Sequence, residues 1–289
     1  MIGDINKMKK TIGFIRLMRL DLPFSAGICV LMGQLFAQGA SASTSEMVYA
    51  FLSIFLISAS ILALNDYFDV ESDRVNAPHR PIPAGIVAPT EALLFSVLLL
   101  LAGLLLSWLL RPSAFICSMF LLVIGFLYNR RFKMSGLPGN LMVSFSVGMT
   151  FIYGAISIGQ PFNSTVWFFA VIAALIDLGE EISADAMDMA GDRLIQSRSL
   201  AICHGRNFAL RISAGLFLSV IVLTAIPFFL GWFTPVYLLP IAIMDGMIAW
   251  SALRLLKSDD RSGRMHIRQL YMGATAGLLL FLVMRLCGV

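Results

Sequence analysis

Nine apolar stretches alternate with short polar connections along the chain, each near the roughly 20 residues that carry a helix across a bilayer. They fall at about 14–38, 46–64, 91–110, 112–128, 138–158, 164–182, 208–230, 234–255 and 267–287. The tightest links are Arg111-Pro112 and the turns at Gly159–Asn163 and Gly231–Pro235, all punctuated by Gly or Pro. Short links join antiparallel neighbours. The pattern therefore predicts an all-α, polytopic membrane protein: nine transmembrane helices in one bundle, a single membrane-embedded domain over residues 1–289.

Composition narrows this further. Of 289 residues, 58% are hydrophobic and 13% charged, whereas a soluble domain carries about a quarter charged residues. Cys29, Cys117, Cys203 and Cys287 form no CxxC pair and sit in or beside apolar stretches, so burial is expected rather than zinc or disulfide chemistry. His79, His204 and His266 lie too far apart in sequence for an imidazole metal motif. The basic start, Met1 to Lys10, precedes no small-residue cleavage site, so the first stretch reads as a retained helix.

Basic residues set the orientation. Lys7, Lys9, Lys10, Arg16 and Arg19 open helix 1, Arg74 and Arg80 follow helix 2, and Arg130, Arg131 and Lys133 follow helix 4. Arg193, Arg198, Arg206 and Arg211 lie between helices 6 and 7, and Arg254, Lys257, Arg261, Arg264 and Arg268 between helices 8 and 9. With nine spans these share one side, leaving Arg111 and Arg285 on the other. The positive-inside rule then predicts a multi-pass protein of the cell membrane with a cytoplasmic N-terminus and an external C-terminus.

Two acidic clusters end apolar stretches on that same cytoplasmic side. Asn65, Asp69 and Asp73 are spaced by four; Glu181, Asp185, Asp188 and Asp192 are spaced by four, three and four. On a helix each set stacks its oxygens on one face, where like charges repel unless a cation lies between them. Oxygen cages of this kind suit hard divalent ions. A single Asp-rich loop is an ordinary solvated connection. Two, with helical spacing, at span ends and on one side, point to a shared metal site for a diphosphate. Asp177 extends the second acidic face deeper, as a substrate-facing acid or a paired buried carboxylate.

The cations nearby fit a leaving-group site. Arg74, Arg80 and Arg193 follow the carboxylates directly, and Tyr128 and Lys133 stand in Leu127-Tyr128-Asn129-Arg130-Arg131-Phe132-Lys133. Pro78, Pro81 and Pro83 make the segment after the first cluster a stiff, non-helical connection. Asp73-Arg74 and Asp192-Arg193 are 119 residues apart, each followed by Arg and Gly (Arg80 and Gly85; Arg198 and Gly205). That echo predicts a pseudo-repeat of four helices.

These residues resemble the UbiA family of intramembrane prenyltransferases. Asn65-Asp66-x-x-Asp69-x-x-x-Asp73 is similar to the family's NDxxDxxxD motif and Asp188-x-x-x-Asp192 to its second, DxxxD motif. Arg16 to Pro23 and Tyr128-x-x-x-x-Lys133 are similar to its helix 1 and helix 4 signatures. The resemblance covers nearly the whole chain and implies a UbiA-type bundle. It also implies Mg²⁺ held by Asn65, Asp69, Asp73, Asp188 and Asp192, ionising a polyprenyl diphosphate so that an acceptor captures the allylic cation. It implies catalytic roles for Asp69, Asp73, Asp188, Asp192, Lys133 and Tyr128. Contacts to substrate are expected from Arg19, Asp66, Arg74, Arg80, Asp185 and Arg193. Loops 65–90 and 183–206 are expected to cap the site. The expected partners are the bilayer, a polyprenyl diphosphate donor and a lipophilic acceptor, not nucleic acid.

The run from Asn65-Asp66-Tyr67-Phe68-Asp69 to Arg80-Pro81-Ile82-Pro83-Ala84-Gly85 resembles the archaeal ether-lipid and the chlorophyll synthase branches alike. The run from Glu181 to Arg193, followed by Ser199-Leu200, resembles the former more, implying a geranylgeranyl donor and geranylgeranylglyceryl phosphate as acceptor. Glu180 and Ala184 depart from the ether-lipid branch, standing where it usually has Arg and Lys. The alternatives are an aromatic or chlorin acceptor (4-hydroxybenzoate, naphthoate, chlorophyllide) and, from another class, a cation-coupled membrane transporter. A CDP-alcohol phosphotransferase fits poorly: Met189 follows Asp188 where that chemistry needs Gly, and no Ala-Arg follows.

Overall fold

Residues 2–38 and 42–288 are described by a computed structural model; Met1, residues 39–41 and Val289, the last being the far end of the expected domain, lie outside them. The described residues fold as thirteen helices: α1 (Ile2–Met18), α2 (Asp21–Gln38), α3 (Thr44–Phe68), α4 (Val70–Asn76), α5 (Pro89–Leu110), α6 (Pro112–Leu127), α7 (Leu137–Ser157), α8 (Ser164–Met187), α9 (Met189–Leu194), α10 (Leu200–His204), α11 (Arg206–Phe229), α12 (Leu238–Leu255) and α13 (Asp260–Leu286). Every expected apolar stretch is occupied by a helix. Seven helices are long and apolar enough to cross a membrane, or eight when the bent pair α1–α2 counts as one span. α8 is equally long, but Asp177, Glu180, Glu181 and Asp185 give it more charge than such a span ordinarily tolerates.

The first stretch is not the continuous helix expected. It bends by 43° between Lys7–Met18 and Asp21–Ala37. Pro23 causes this, because its ring clashes with the carbonyl four residues back, at Arg19, and it offers no N–H to bond there. Arg19 takes the strain with φ 44°, a left-handed conformation uncommon for a residue with a Cβ. Leu22 N–H closes the turn on the Arg19 carbonyl at 2.9 Å.

Hydroxyl pairs hold the bundle where lipid gives no hydrophobic drive between helices. Ser60 and Ser96 bond each other's carbonyls reciprocally, at 2.8 and 2.9 Å, joining α3 to α5. Ser183 and Ser213 meet at 2.6 Å between α8 and α11. Ser53 meets Tyr153 at 2.7 Å between α3 and α7. α7 is the most enclosed span, while α5 presents Leu94, Leu98, Leu101 and Leu105 outward, as a lipid-facing helix should.

The two ends of the bundle differ. At one, Phe36, Phe169, Phe233, Tyr237 and Phe281 form an aromatic plug, with Phe36 and Phe169 at 4.5 Å and Tyr237 and Phe281 at 4.4 Å between centroids. The other end gathers α4, α9, α10 and the basic connections. Ile82 and Val87 pin the proline-rich segment there into a small core with Leu17, Ala63 and Ala92.

Candidate active site

Both acidic motifs are built the same way. α3 ends at Asp69 (φ −93°, ψ 5°) and α8 at Asp188 (φ −105°, ψ 9°), each immediately followed by a short helix, α4 or α9. The regular helical face expected through each cluster is thus interrupted at its middle aspartate. The four-residue ladder nevertheless continues across the break. Asp69 N–H bonds Asn65 O at 3.0 Å and Asp73 N–H bonds Asp69 O at 2.8 Å. Asp188 N–H bonds Ala184 O at 2.9 Å and Asp192 N–H bonds Asp188 O at 3.0 Å. The kink turns the chain without losing the spacing that stacks the carboxylates.

One side chain stitches the motifs together. Asn76, on α4, donates from Nδ2 to the Asp188 carbonyl at 3.2 Å and accepts from the Gly191 N–H at 2.9 Å. Gly191 is required there, since a Cβ would come within 2.2 Å of the Asn76 amide. A second tie runs from Arg198 N–H to Met134 O at 2.9 Å. At Gly136 (φ 72°) a Cβ would lie 2.0 Å from the Arg198 carbonyl, so this close approach also needs glycine.

Each carboxylate of the first motif has its own cation. Asp66, Asp69 and Asp73 are only 1%, 6% and 5% exposed, so their charges need compensation. Arg19, at the α1–α2 break, pairs with Asp66. Arg80 Nη1 lies 3.5 Å from Asp66 and bonds both Asp73 oxygens at 2.6 and 2.5 Å. Lys133 pairs with Asp69 and reaches Asn65 Oδ1 at 3.5 Å. Burial pushes the Asp73 carboxyl above its ordinary range despite Arg80. Arg80 is itself desolvated, yet Asp66 and Asp73 hold its guanidinium above the ordinary value.

The second motif is differently compensated. Arg264, from the first turns of α13, grips Asp188 with Nε at 3.1 Å and a second nitrogen, and donates to Met187 O at 3.2 Å. Asn140 donates to Asp185 at 2.9 Å. Asp192 has no ion pair among the described residues; burial first, then Asp185 and Asp188, push its carboxyl up to about 7. Lys133 acts electrostatically on Asp185 and Asp192 as well as pairing with Asp69, so its ammonium stands between the two motifs. It is placed by one π-helical turn, Tyr128–Phe132, closed by Lys133 N–H on the Tyr128 carbonyl. Tyr128 stands within electrostatic reach of Glu181, Asp69, Asp185 and Asp177.

Beneath the motifs lies a cavity of about 350 Å³, inside the range of small-molecule sites. Arg19, Asn65, Tyr128, Asn129 and Glu181 form its polar rim, and Ile54, Ile57, Leu121, Ile124 and Leu278 its apolar depth. Of the sequence-derived candidates, Asn65, Asp66, Asp69, Asp73, Arg80, Arg19, Tyr128, Lys133, Asp185, Asp188 and Asp192 gather at this end. Arg74 and Arg193 point outward, exposed, with no ion pair among the described residues. Arg264, Asn76, Asn129 and Asn140 escaped the sequence reading. Arg264 lies in a basic connection that orientation alone explains, and the asparagines carry no charge to mark them.

The donor set suits a hard divalent cation, being oxygen throughout and already centred on a protein ammonium. No three His, Cys, Asp or Glu side chains among the described residues converge tightly enough to hold a metal. Four of the carboxylates, Asp66, Asp73, Asp69 and Asp188, are instead paired with Arg19, Arg80, Lys133 and Arg264.

Comparison with known proteins places this architecture. A match to the UbiA prenyltransferase family extends over residues 26–283. A digeranylgeranylglyceryl phosphate synthase of Natronomonas pharaonis is 35% identical over 233 residues, 80% of this chain and 83% of the relative. A solved structure described as digeranylgeranylglyceryl phosphate synthase in membranes superposes with TM-score 0.70 at 28% identity, covering 96% of this chain and 99% of that one. A UbiA homologue from Archaeoglobus fulgidus, bound to GPP and Mg²⁺, shares the fold at TM-score 0.69 and 18% identity, over 95% and 99% of the two chains. With the motifs, the fold and these likenesses agreeing over most of its length, the chain belongs to the UbiA family and is a membrane prenyltransferase.

Proposed function

We propose that the protein transfers a geranylgeranyl group from its diphosphate to the free hydroxyl of geranylgeranylglyceryl phosphate, a Mg²⁺-dependent step of ether-lipid synthesis. The observation that carries this is two acidic motifs meeting around Lys133 above an apolar cavity. The names of the relatives support the acceptor, and the GPP and Mg²⁺ of the Archaeoglobus homologue support the donor class and the metal. Asn65, Asp69, Asp73, Asp188 and Asp192 would hold Mg²⁺, whose charge neutralises the diphosphate leaving group. Lys133, Arg80 and Arg19 add fixed positive charge where negative charge grows as the allylic C–O bond breaks. Tyr128 and Asp185 border the reacting end, and Asp66 anchors Arg19 and Arg80. Arg74 and Arg193 serve at the mouth. The cavity keeps water from the allylic cation.

The same reading includes nine spans, with α8 the ninth. Its carboxylates face the cavity rather than lipid. It includes the four-helix pseudo-repeat, supported by the matching dihedral angles of Asp69 and Asp188 and by serine-linked helix pairs in both halves. Segments 65–90 and 183–206 form a cytoplasmic cap. A transporter would hold its carboxylates near the midplane, whereas these sit where α3 and α8 end.

The test is purified protein with Mg²⁺, geranylgeranyl diphosphate and a panel of acceptors: the glycerol ether phosphate, 4-hydroxybenzoate, a naphthoate and a chlorophyllide. Mass detection should find the diether from the first alone. Asp69→Ala and Asp192→Ala should each lower the rate by about 10²–10³ or more. Full activity in EDTA would sink the mechanism, and an aromatic product would reassign the acceptor.

A further inference from the structure

One wall of the cavity carries three acids to which the reading above gives no role. Asp177, Glu180 and Glu181 lie on α8 at i, i+3 and i+4 and all line the cavity. Ser144 donates to Asp177 at 3.0 Å, and Lys133 and Arg19 act on Glu181. Among the described residues nothing compensates Glu180. Its Oε1 is shut off from solvent without a hydrogen-bond partner, and its charged neighbours are two further acids, Asp177 and Glu181. Eight residues of helix, about 12 Å at the usual rise per residue, separate it from Asp188, the nearer of that motif's two proposed metal ligands.

Oε1 is enclosed by protein and costly to leave unpaired, and Oε2, with no hydrogen bond among the described residues, is the oxygen that a ligand in the cavity can reach. Among the described residues Arg19, at the rim, is the one Lys or Arg lining the cavity, and none of them hydrogen-bonds Glu180 Oε1. A prenyl tail offers no hydrogen bond, and an anionic group would find no ion-pair partner beside Glu180 among the described residues. A neutral hydroxyl fits, donating to the carboxylate while its carbon skeleton lies along the apolar wall.

We propose that Glu180, flanked by Asp177, is the hydroxyl subsite for the acceptor, holding an alcohol inward while the acceptor's phosphate stays at the cationic rim. This rests on the prenyl-transfer reading above and assigns a part of that site to which that reading gives no role. When the hydroxyl oxygen gives its electron pair to the allylic carbon, the diphosphate leaves with the C–O pair and the hydroxyl proton passes to the Glu180 carboxylate.

The experiment compares wild type with Glu180→Gln and Glu180→Leu in detergent. Thermal shift by geranylgeranylglyceryl phosphate alone, in EDTA, reads acceptor binding without turnover. Acceptor and donor KM are then measured with Mg²⁺. Glu180→Leu should raise the ligand-free Tm, abolish the acceptor-induced shift and raise acceptor KM at least tenfold, with donor KM within twofold of wild type. Glu180→Gln, which still hydrogen-bonds, should keep part of the shift but lose turnover. If wild type transfers to the alcohol and Glu180→Leu retains its acceptor shift and KM, the subsite is wrong and the function stands. If wild type shows neither shift nor transfer, both are wrong. Should the leucine variant fail to fold, unchanged turnover and acceptor KM in the glutamine variant would equally overturn the subsite.

Discussion

Asp192 is a proposed metal ligand for which protons compete near neutral pH. Burial and the neighbouring acids raise it from 3.8 to about 7, so the folded chain binds a proton over a range in which the unfolded chain has lost it. Without metal, its contribution to stability is therefore present at low pH and declines as pH rises toward 7. Metal binding runs the other way, since the ligand must be deprotonated. Apparent Mg²⁺ affinity should climb with pH to about 7 and then level off. Magnesium titrations of wild type and Asp192→Asn between pH 5.5 and 8.5 check this; a wild-type profile as flat as the variant's would show that Asp192 does not titrate in this range.

At the scale of elements, the site depends on how α4 and α9 are joined. Asn76→Ala takes the Gly191 N–H's partner away and removes one of two donors to the Asp188 carbonyl, which keeps the Asp192 N–H, at about 1–3 kcal/mol. Gly191→Ala expels the Asn76 amide and should have the same effect. Either variant should lower Tm and raise the Mg²⁺ concentration needed for half-maximal activity, and the double variant should be little worse than the singles, because the two changes break one contact. Additive losses would mean that the residues act separately. The sequence showed the helices and both acidic motifs plainly, because hydropathy and four-residue spacing are local. It did not show Asn76, whose partners are more than a hundred residues away and whose amide carries no charge. Nor did it show the α1–α2 break, although Pro23 was in view: a proline near a helix start is ordinarily accommodated, and only the left-handed Arg19 reveals that the first turns belong to a longer, broken span.

The whole molecule carries its own orientation probes. Cys203, in α10 at the site end, and Cys287, just past α13 at the aromatic end, are exposed, whereas Cys29 and Cys117 are buried. With the site in the cytoplasm, a membrane-impermeant maleimide should label Cys287 in intact cells and Cys203 only in inside-out vesicles. Labelling in the reverse order would invert the topology. The ends of the bundle also differ in the field they project. α3 and α8 both reach the site by their C-termini, so each turns the negative pole of its backbone dipole, about half an elementary charge, toward the place where an anion must bind. Phosphate sites commonly use the opposite pole. Simple oxyanions such as sulfate or orthophosphate should therefore compete poorly at any concentration near the physiological range. A non-hydrolysable bisphosphonate should inhibit only when divalent cation is supplied with it, which makes this enzyme's inhibitors chelators by necessity.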